Sequence, residues 1–370
     1  MTKPLISIIV SSFNNEKYLP KCLDHLINQT LSDIEIICID DASSDNSLAV
    51  LQDYAKRDDR IQILTNDENC GLSIVRNRGL EVAKAPYIMF CDGDDYYNLD
   101  MCEKMYYAID NHHADLAISE INVIYHARRE MKISDDHYYT LKYHGQQTIN
   151  RALYFNTDFS VDNKIFKKSL IDQYHIRFPE RLHYEDAYFT PAYLYASHTT
   201  YYLNERLYNY VRHASSIMSD TWSNNSDNDF AIDHIYIFFQ LFDFLETNQL
   251  LEKDQPLYWE LFASYVKLAI EHSKTKSRIK EIRQKCAAFI EQHRDSYIQA
   301  SDNTKEAIRY LVFSKFHIST TRIKGWILKL WPTYCLEIDN ALRLQSLQLK
   351  HQRLLDELNQ LIIQQKQKWS

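Results

Sequence analysis

Glycine is scarce in this chain, 5 of 370 residues, so its turns must rely on Asn, Asp and Ser. The loop after the first apolar run reads Ser11-Ser-Phe-Asn-Asn, with neither glycine nor a cation. That excludes the GxGxxG fingerprint of a nicotinamide dehydrogenase. It also excludes the glycine-rich basic phosphate loop that a nucleotidyltransferase would need. Cysteine is sparse too: seven residues, no CxxC pair, and several in apolar runs (Cys38, Cys91). That pattern suits buried free thiols in a reducing compartment, not a disulfide framework. No window reaches the ~18 apolar residues of a membrane span. Met-Thr-Lys-Pro leads into the first strand without an apolar signal region. The expectation is a cytoplasmic protein, working at the inner face of the plasma membrane. A net charge of −8 gives no reason to expect a nucleic-acid partner.

What the chain does have is 45% apolar and 25% charged residues, with 27 Tyr, the composition of a folded protein with a sizeable core. Residues 5–10 form an apolar run, and Leu19, Cys22, Leu23, Leu26 and Ile27 follow at helical spacing. A second run, Ile34 to Ile39, precedes a helical stretch over 46–56 that carries Leu48, Val50, Leu51 and Tyr54. Strand 61–64, helix 72–84 and strand 86–91 continue the alternation. Such alternation predicts an α/β fold, a mostly parallel sheet with helices on both faces. Past residue 100 it weakens: 116–125 and 133–143 read as strands or hairpin pieces, 162–174 and 185–197 as helices.

Ligands of parallel sheets bind outside the carboxyl ends of the strands, and two acidic clusters fall there. Asp40-Asp41 ends the second run, and Asp92, Asp94 and Asp95 follow the fourth. Carboxylates this crowded are costly unless a cation neutralises them. Oxygen ligands at a strand end suit a hard divalent ion that also bridges substrate phosphates. The plain alternative is an acidic turn, since Asp-Gly is a common turn dipeptide.

From about 228 onward the chain reads almost wholly as helices, with apolar stripes in 230–246, 257–271, 278–293 and 304–314. Trp222–Asp229 is the best linker candidate. These features divide the chain into a catalytic domain over 1–220, an all-helical region over 221–314 and a tail over 315–370. The tail holds nine Lys/Arg against four Asp/Glu, and Lys324-Gly-Trp-Ile-Leu-Lys-Leu-Trp-Pro sets two Trp among cations. It reads either as a peripheral membrane contact or as a helix packed on the catalytic domain. Leu344, Leu347, His351, Leu354, Leu358 and Leu361 form a heptad seam. That seam fits a homodimeric coiled coil or the edge of a bundle.

Taken in order and spacing, these pieces resemble the family-2 nucleotide-sugar glycosyltransferases of GT-A fold. The resemblance rests on Ser7-Ile-Ile-Val-Ser-Ser-Phe-Asn-Asn-Glu-Lys-Tyr-Leu, Gln29-Thr30, Ile39-Asp-Asp-Ala-Ser-Ser-Asp-Asn-Ser, Asn69-Cys-Gly-Leu-Ser, Arg76-Asn-Arg-Gly and Phe90-Cys-Asp-Gly-Asp-Asp. It extends more weakly through Asn163-Lys164, Tyr184-Glu-Asp-Ala-Tyr-Phe and Tyr208-Asn-Tyr-Val-Arg-His-Ala-Ser-Ser-Ile-Met. Many relatives carry Gly where this chain has Ala42, which allows fewer backbone conformations. The Gln-x-x-Arg-Trp signature of processive synthases is absent.

The resemblance implies a UDP-sugar donor and Mn2+ or Mg2+ held by Asp94 and Asp95, with Asp92 ligating or turned to the ribose. It implies base recognition by Asp41, nucleotide contact by Ser11, and pyrophosphate contact by Arg76, with Arg78 left to surface pairing. Asp186 becomes the base of an inverting displacement, with Glu185 positioning the acceptor or the helix end; the residues alone favour an acidic helix cap, and the resemblance reverses that order. Asn163 and Lys164 fall near the sugar wall, and Lys164 also reads as one of several cations on a helix. Arg212 and His213 fall on a loop over the diphosphate, where His213 also reads as a plain loop histidine. Tyr208 and Tyr210 read as packing at the loop base. The implied acceptor is a bacterial surface glycan, lipid-linked or protein-linked. The competing reading from another class is an inactive GT-A scaffold that assembles partners through its C-terminal helices.

Overall fold

The structure is a computed structural model that describes residues 3–127, 130–133, 143–213, 229–251 and 255–313. The chain divides into two compact units, Met1–Ala288 and Phe289–Ser370. The tail, with its Trp-containing basic stretch and its heptad seam, lies outside the described residues. Among the described residues no helix is long and apolar enough to cross a membrane.

The first unit opens with β1 (Ile6–Ser12), α1 (Leu19–Ile27), β2 (Ile34–Asp40), α2 (Ser47–Ala55), β3 (Ile61–Thr65), α3 (Leu72–Val82) and β4 (Tyr87–Asp92). Strand β1 pairs in parallel with β2 on one side and β4 on the other, and β2 with β3. Helices cover both faces, so these strands are apolar at nearly every position. Ile6, Ile8 and Val10 pack with Leu19, Cys22, Leu23 and Leu26 of α1. On the opposite face Ile9 meets α3 at Gly79, where an added Cβ would lie 2.4 Å from the Ile9 side chain. Glycine is needed there for the helix to lie this close to the sheet.

The register decides where the chemistry sits. Ser12 is opposite Asp40, and Ser11 is opposite Asp92, so three strands deliver their polar ends to one rim.

Then come β5 (Tyr96–Tyr97), α4 (Met101–Asp110), β6 (Leu116–Ala127), β7 (Glu130–Ile133), β8 (Gly145–Thr148), α5 (Arg151–Asn156), β9 (Lys164–Lys167), α6 (Lys168–Gln173), α7 (Asp186–Ala196) and β10 (Thr199–Arg212). The sheet runs β3-β2-β1-β4-β9-β6-β10-β5, with β7 beside β6 and β8 beside β10. Its first half is parallel, as the alternation predicts. The second half is mixed, because β9 is antiparallel to both β4 and β6. The expected helix over 162–174 is therefore split: Ile165 and Phe166 are fully buried in the sheet and helix begins only at Lys168. Local apolar spacing does not separate these alternatives in so short a run.

Helices α8 (Asp233–Thr247), α9 (Gln255–His272) and α10 (Lys276–Gln292) follow. Helix α8 packs against α7 and α9, burying Ile235, Phe238, Leu241, Phe242 and Leu245. Helix α7 is buried from Ala187 to Ala196, lying beneath this helical layer. In the second unit the described residues form α11 (Arg294–Ile298) and α12 (Asp302–Phe313).

Candidate active site

The turn after β4 is shaped by close backbone approach. Gly93 donates its N–H to Ser11 O at 2.9 Å, and an added Cβ would lie 2.8 Å from that oxygen and 2.2 Å from Asn15 Nδ2. Strand β1 and the acidic turn are thus locked edge to edge. The loop after β1 is tied equally firmly to the loop after β2. Asn15 N–H donates to Ser47 Oγ at 3.0 Å, Glu16 accepts from Asn46, and Asn14 Oδ1 accepts from Ser44. The polar positions of the first motif therefore serve to fasten two strand-end loops together.

The three carboxylates of the turn diverge. Asp92 Oδ1 accepts from Ser11 Oγ at 2.7 Å and from Arg76 at 3.0 Å. Asp94 Oδ2 lies 2.8 Å from His213 Nε2, and the His213 ring stacks on Tyr18 with centroids 4.3 Å apart. Asp95 is buried, accepting from Tyr208 O–H at 2.5 Å and Val211 N–H at 2.7 Å. The expected metal role of Asp95 does not suit this geometry: both its oxygens are engaged inside the protein. Burial, then Asp94 and Asp92, push its carboxyl well above the usual range. Asp95 instead ties the acidic turn to the end of β10, beneath the pairing of Asp94 with His213.

Arg76 is the centre of the site. Its side chain is 4% exposed, and its guanidinium reaches Glu185 Oε1 at 2.8 Å, Asp92 Oδ1 at 3.0 Å and Asp162 Oδ1 at 3.5 Å. The cation joins the strand-end acid to the Glu185-Asp186 pair at the start of α7. Opposite charges hold it firmly ionised: despite burial, Asp92, Asp162, Glu185 and Asp186 raise its pKa above its already high value. Burial and the neighbouring Glu185 push Asp186 up to about 7, against the pull of Arg76. Asp162, which the sequence reading did not single out, is pushed well above the carboxylate range by burial and Asp92. Asp40 Oδ1, Arg76 Nε and Asp162 Oδ1 are buried without hydrogen-bond partners. Such orphaned atoms ask for an explanation, and a polar ligand is one.

The remaining sequence candidates divide. Asp41 is buried and accepts from Asn66 Nδ2, Cys70 N–H and Gly71 N–H; it holds the entry to α3. Ala42 is left-handed, φ +57°, a conformation that glycine takes with less strain. Arg78 pairs with Asn66 and the Thr65 carbonyl, as expected of a structural cation. Asn163 and Lys164 are fully buried. Lys164 Nζ donates to Asp158 (2.9 Å), Ser160 O (2.5 Å) and Asn163 Oδ1 (2.8 Å), and Asn163 Nδ2 to Ser119 O. These two act as internal braces, since every polar atom named is used inside the chain. The Arg212 guanidinium lies 5.6 Å from the Tyr210 ring, at the end of β10.

The glycosyl transferase family 2 model matches residues 7–174. The chain is 30% identical to the glycosyltransferase GlyG of Streptococcus pneumoniae, over 58% of this chain and 73% of that protein. The chain belongs to glycosyl transferase family 2. It is also 32% identical to EpsH of Bacillus subtilis, over 59% of this chain and 64% of that protein, so it spans less than two thirds of that relative. A crystal structure of S. aureus TarS residues 1–349 in complex with UDP-GlcNAc superposes with TM-score 0.52 at 20% identity. The match covers 85% of this chain and 94% of that one and shows a shared fold.

Fitness for a divalent ion follows from the donor set. Among the described residues, no three His, Cys, Asp or Glu side chains already converge as ligands. Asp94 and His213 do converge, a carboxylate and an imidazole at 2.8 Å. Small divalent ions are commonly held by one or two protein groups, with substrate phosphates and water completing the shell. The pair fits. His213 is 119 residues from Asp94, a distance at which sequence spacing carries no signal.

Proposed function

We propose that this chain transfers a sugar from a UDP-sugar to a hydroxyl of a bacterial surface glycan, lipid-linked or protein-linked, with inversion at the anomeric carbon. The observation that carries the reading is the Arg76 bridge, 3.0 Å to Asp92 and 2.8 Å to Glu185. It draws the strand-end rim and the Glu185-Asp186 pair around one cation, where one sugar ring can touch both. TarS, of the same fold, was crystallised with UDP-GlcNAc, which supports UDP as the nucleotide.

Each residue then has a task. Asp94 and His213 would hold Mn2+ or Mg2+, which when bound would supply positive charge for the diphosphate leaving group. Ser11 orients Asp92, and Arg76 fixes Asp92 and Glu185 relative to each other. Phe13, 47% exposed after β1, offers a ring face to the base. Asp186 accepts the acceptor hydroxyl's proton. A carboxylate whose pKa is raised to about 7 is a stronger base than an ordinary one, and about half of it is ionised at neutral pH. Glu185, neutralised by Arg76, orients the incoming hydroxyl.

Calorimetry of UDP with Mn2+ tests the metal arm. Wild type should bind UDP more tightly with Mn2+, and Asp94→Ala and His213→Ala should lose that gain. Equal, metal-independent affinity in all three proteins would refute it. A panel of nucleotide sugars assayed for nucleotide release identifies the donor.

A further inference from the structure

The segment that carries Glu185 and Asp186 is not held by the sheet alone. It is wound: Arg181 (φ +60°) and Tyr184 (φ +65°) are both left-handed, and Tyr184 directly precedes the two carboxylates. A non-glycine residue keeps that conformation only when its surroundings over-determine it. The surroundings come from the helices after the sheet. The Tyr184 ring stacks on His234 of α8, centroids 4.0 Å apart and 15° from parallel. His234 is buried, its Nε2 2.9 Å from Nδ1 of His272 at the end of α9. One residue earlier, the His183 N–H donates to Asp233 Oδ2 at 3.0 Å, with Nδ1 2.9 Å from the same oxygen. The His183 ring also stacks on Phe230 at 3.5 Å. One residue after the pair, Tyr265 of α9 donates its O–H to the Ala187 carbonyl.

We propose that helices α8 and α9 form a cradle for the catalytic carboxylates. In it Asp233, His234, His272 and Tyr265 act as positioning residues, fixing residues 183–187 so that Asp186 meets the acceptor hydroxyl. This rests on the reading of Asp186 as the base. Contacts flank the carboxylates on both sides in sequence, and three different chemistries (ring stacking, a shared carboxylate, a hydroxyl on a carbonyl) converge on five residues. A helical layer that served only to cover α7 would need apolar contact alone, of the kind Phe244 of α8 makes with Tyr188 of α7. His234 and His272 place a polar pair in that layer at the point where it meets Tyr184. The donor half of the site, at Asp92, Asp94 and His213, is built from other elements. Cradle defects should therefore leave nucleotide binding intact and lower turnover.

The test uses the full chain, Mn2+ and whichever UDP-sugar is turned over fastest, reading UDP release for kcat and calorimetry for UDP affinity. Tyr184→Ala should lower kcat by about 100-fold, the order expected for ~1 Å of misplacement, with UDP affinity within about twofold of wild type. Tyr184→Phe, which keeps the stacked ring, should recover most of the rate. Tyr265→Phe removes one oxygen and preserves packing, so it reports even if Tyr184→Ala does not fold. It should lower kcat by about fivefold, the worth of one hydrogen bond, at unchanged UDP affinity. Loss of kcat and UDP affinity together would overturn the proposal as general destabilisation, and wild-type kcat in both Tyr184→Ala and Tyr265→Phe would overturn it outright. Asp186→Asn, run alongside, separates the layers. If it keeps wild-type turnover, the base assignment falls and the cradle with it. If it is inactive while the cradle variants are normal, the cradle alone falls.

Discussion

Replacing Arg76 with Met probes the centre of the site most directly. The guanidinium is 4% exposed and faces Asp92, Asp162 and Glu185 within 3.5 Å. Methionine matches much of the aliphatic stem but leaves these acids, and Asp186, without a cation. Breaking a buried ion pair by removing one partner costs about 3–5 kcal/mol, and the acids here are already close-set. At roughly 2–4 °C per kcal/mol for a large domain, Tm should fall by about 6–20 °C near pH 8. The loss should shrink as pH falls toward 5. Asp162 and Asp186 already have raised pKa values, opposed by Arg76; without it they rise further, and protonation removes the unpaired charge. Activity carries the second signature. The acid limb of the rate profile, set by Asp186 at about 7, should move to higher pH in Arg76→Met. Arg76→Lys should rescue stability more than rate, because an ammonium lacks the planar fork that spans Asp92 and Glu185 together. Thermal melts across pH 5–8, with nucleotide release across the same range, check both. A Tm loss independent of pH, or an unmoved acid limb, would refute the reasoning.

Asp186→Asn should lower turnover by roughly 10²–10⁴-fold yet stabilise the fold at pH 8. The folded pKa of Asp186 is raised, so its ionised form costs stability above about 7 and nothing below its unfolded value near 4; melts at pH 8 and pH 4 read the difference. Lys164→Met should destabilise by about 2–4 kcal/mol, since Asp158 and Asn163 lose their donor, while UDP affinity stays at the wild-type level; a selective loss of UDP affinity would restore Lys164 to the binding site. Gly93→Ala drives a Cβ to 2.8 Å from the Ser11 carbonyl and should cost about 1–3 kcal/mol together with metal-dependent UDP binding, seen by melts and calorimetry. Ala42→Gly relieves a φ of +57° at the price of a looser unfolded chain, so denaturant unfolding should place it within about 1 kcal/mol of wild type, on the stable side, and Ala42→Val well below.

What could be read from the sequence follows the range of the interactions involved. The β1 to β4 half was legible because each strand is a short apolar run and each helix a periodic stripe, so existence and order follow from local pattern. The position of Ser11, Asp41 and Asp92 at one rim was legible for the same reason: they fall at strand ends, and a parallel sheet gathers strand ends on one rim. The second half resisted because β9 is four residues whose fate depends on the gap between β4 and β6. Charge at the rim was legible as composition but not as pairing. Asp95 turns inward because Tyr208 and Val211, more than 110 residues away in sequence, accept its company. Asp94 turns toward His213, and Asp162 acquires meaning only when Arg76 arrives 3.5 Å away. The internal partners of Lys164, Asp158 and Ser160, were not legible either, since only the fold closes the lysine over them. Carboxylates clustered in sequence therefore say that neutralising charge is needed, and the fold decides its source. Here two neighbours are handled by different means: Asp92 faces a buried arginine, while burial holds the Asp95 carboxyl toward its neutral form. Asp94 is the member of the trio that meets an imidazole, His213 Nε2 at 2.8 Å, and on that pairing the proposed ion site rests.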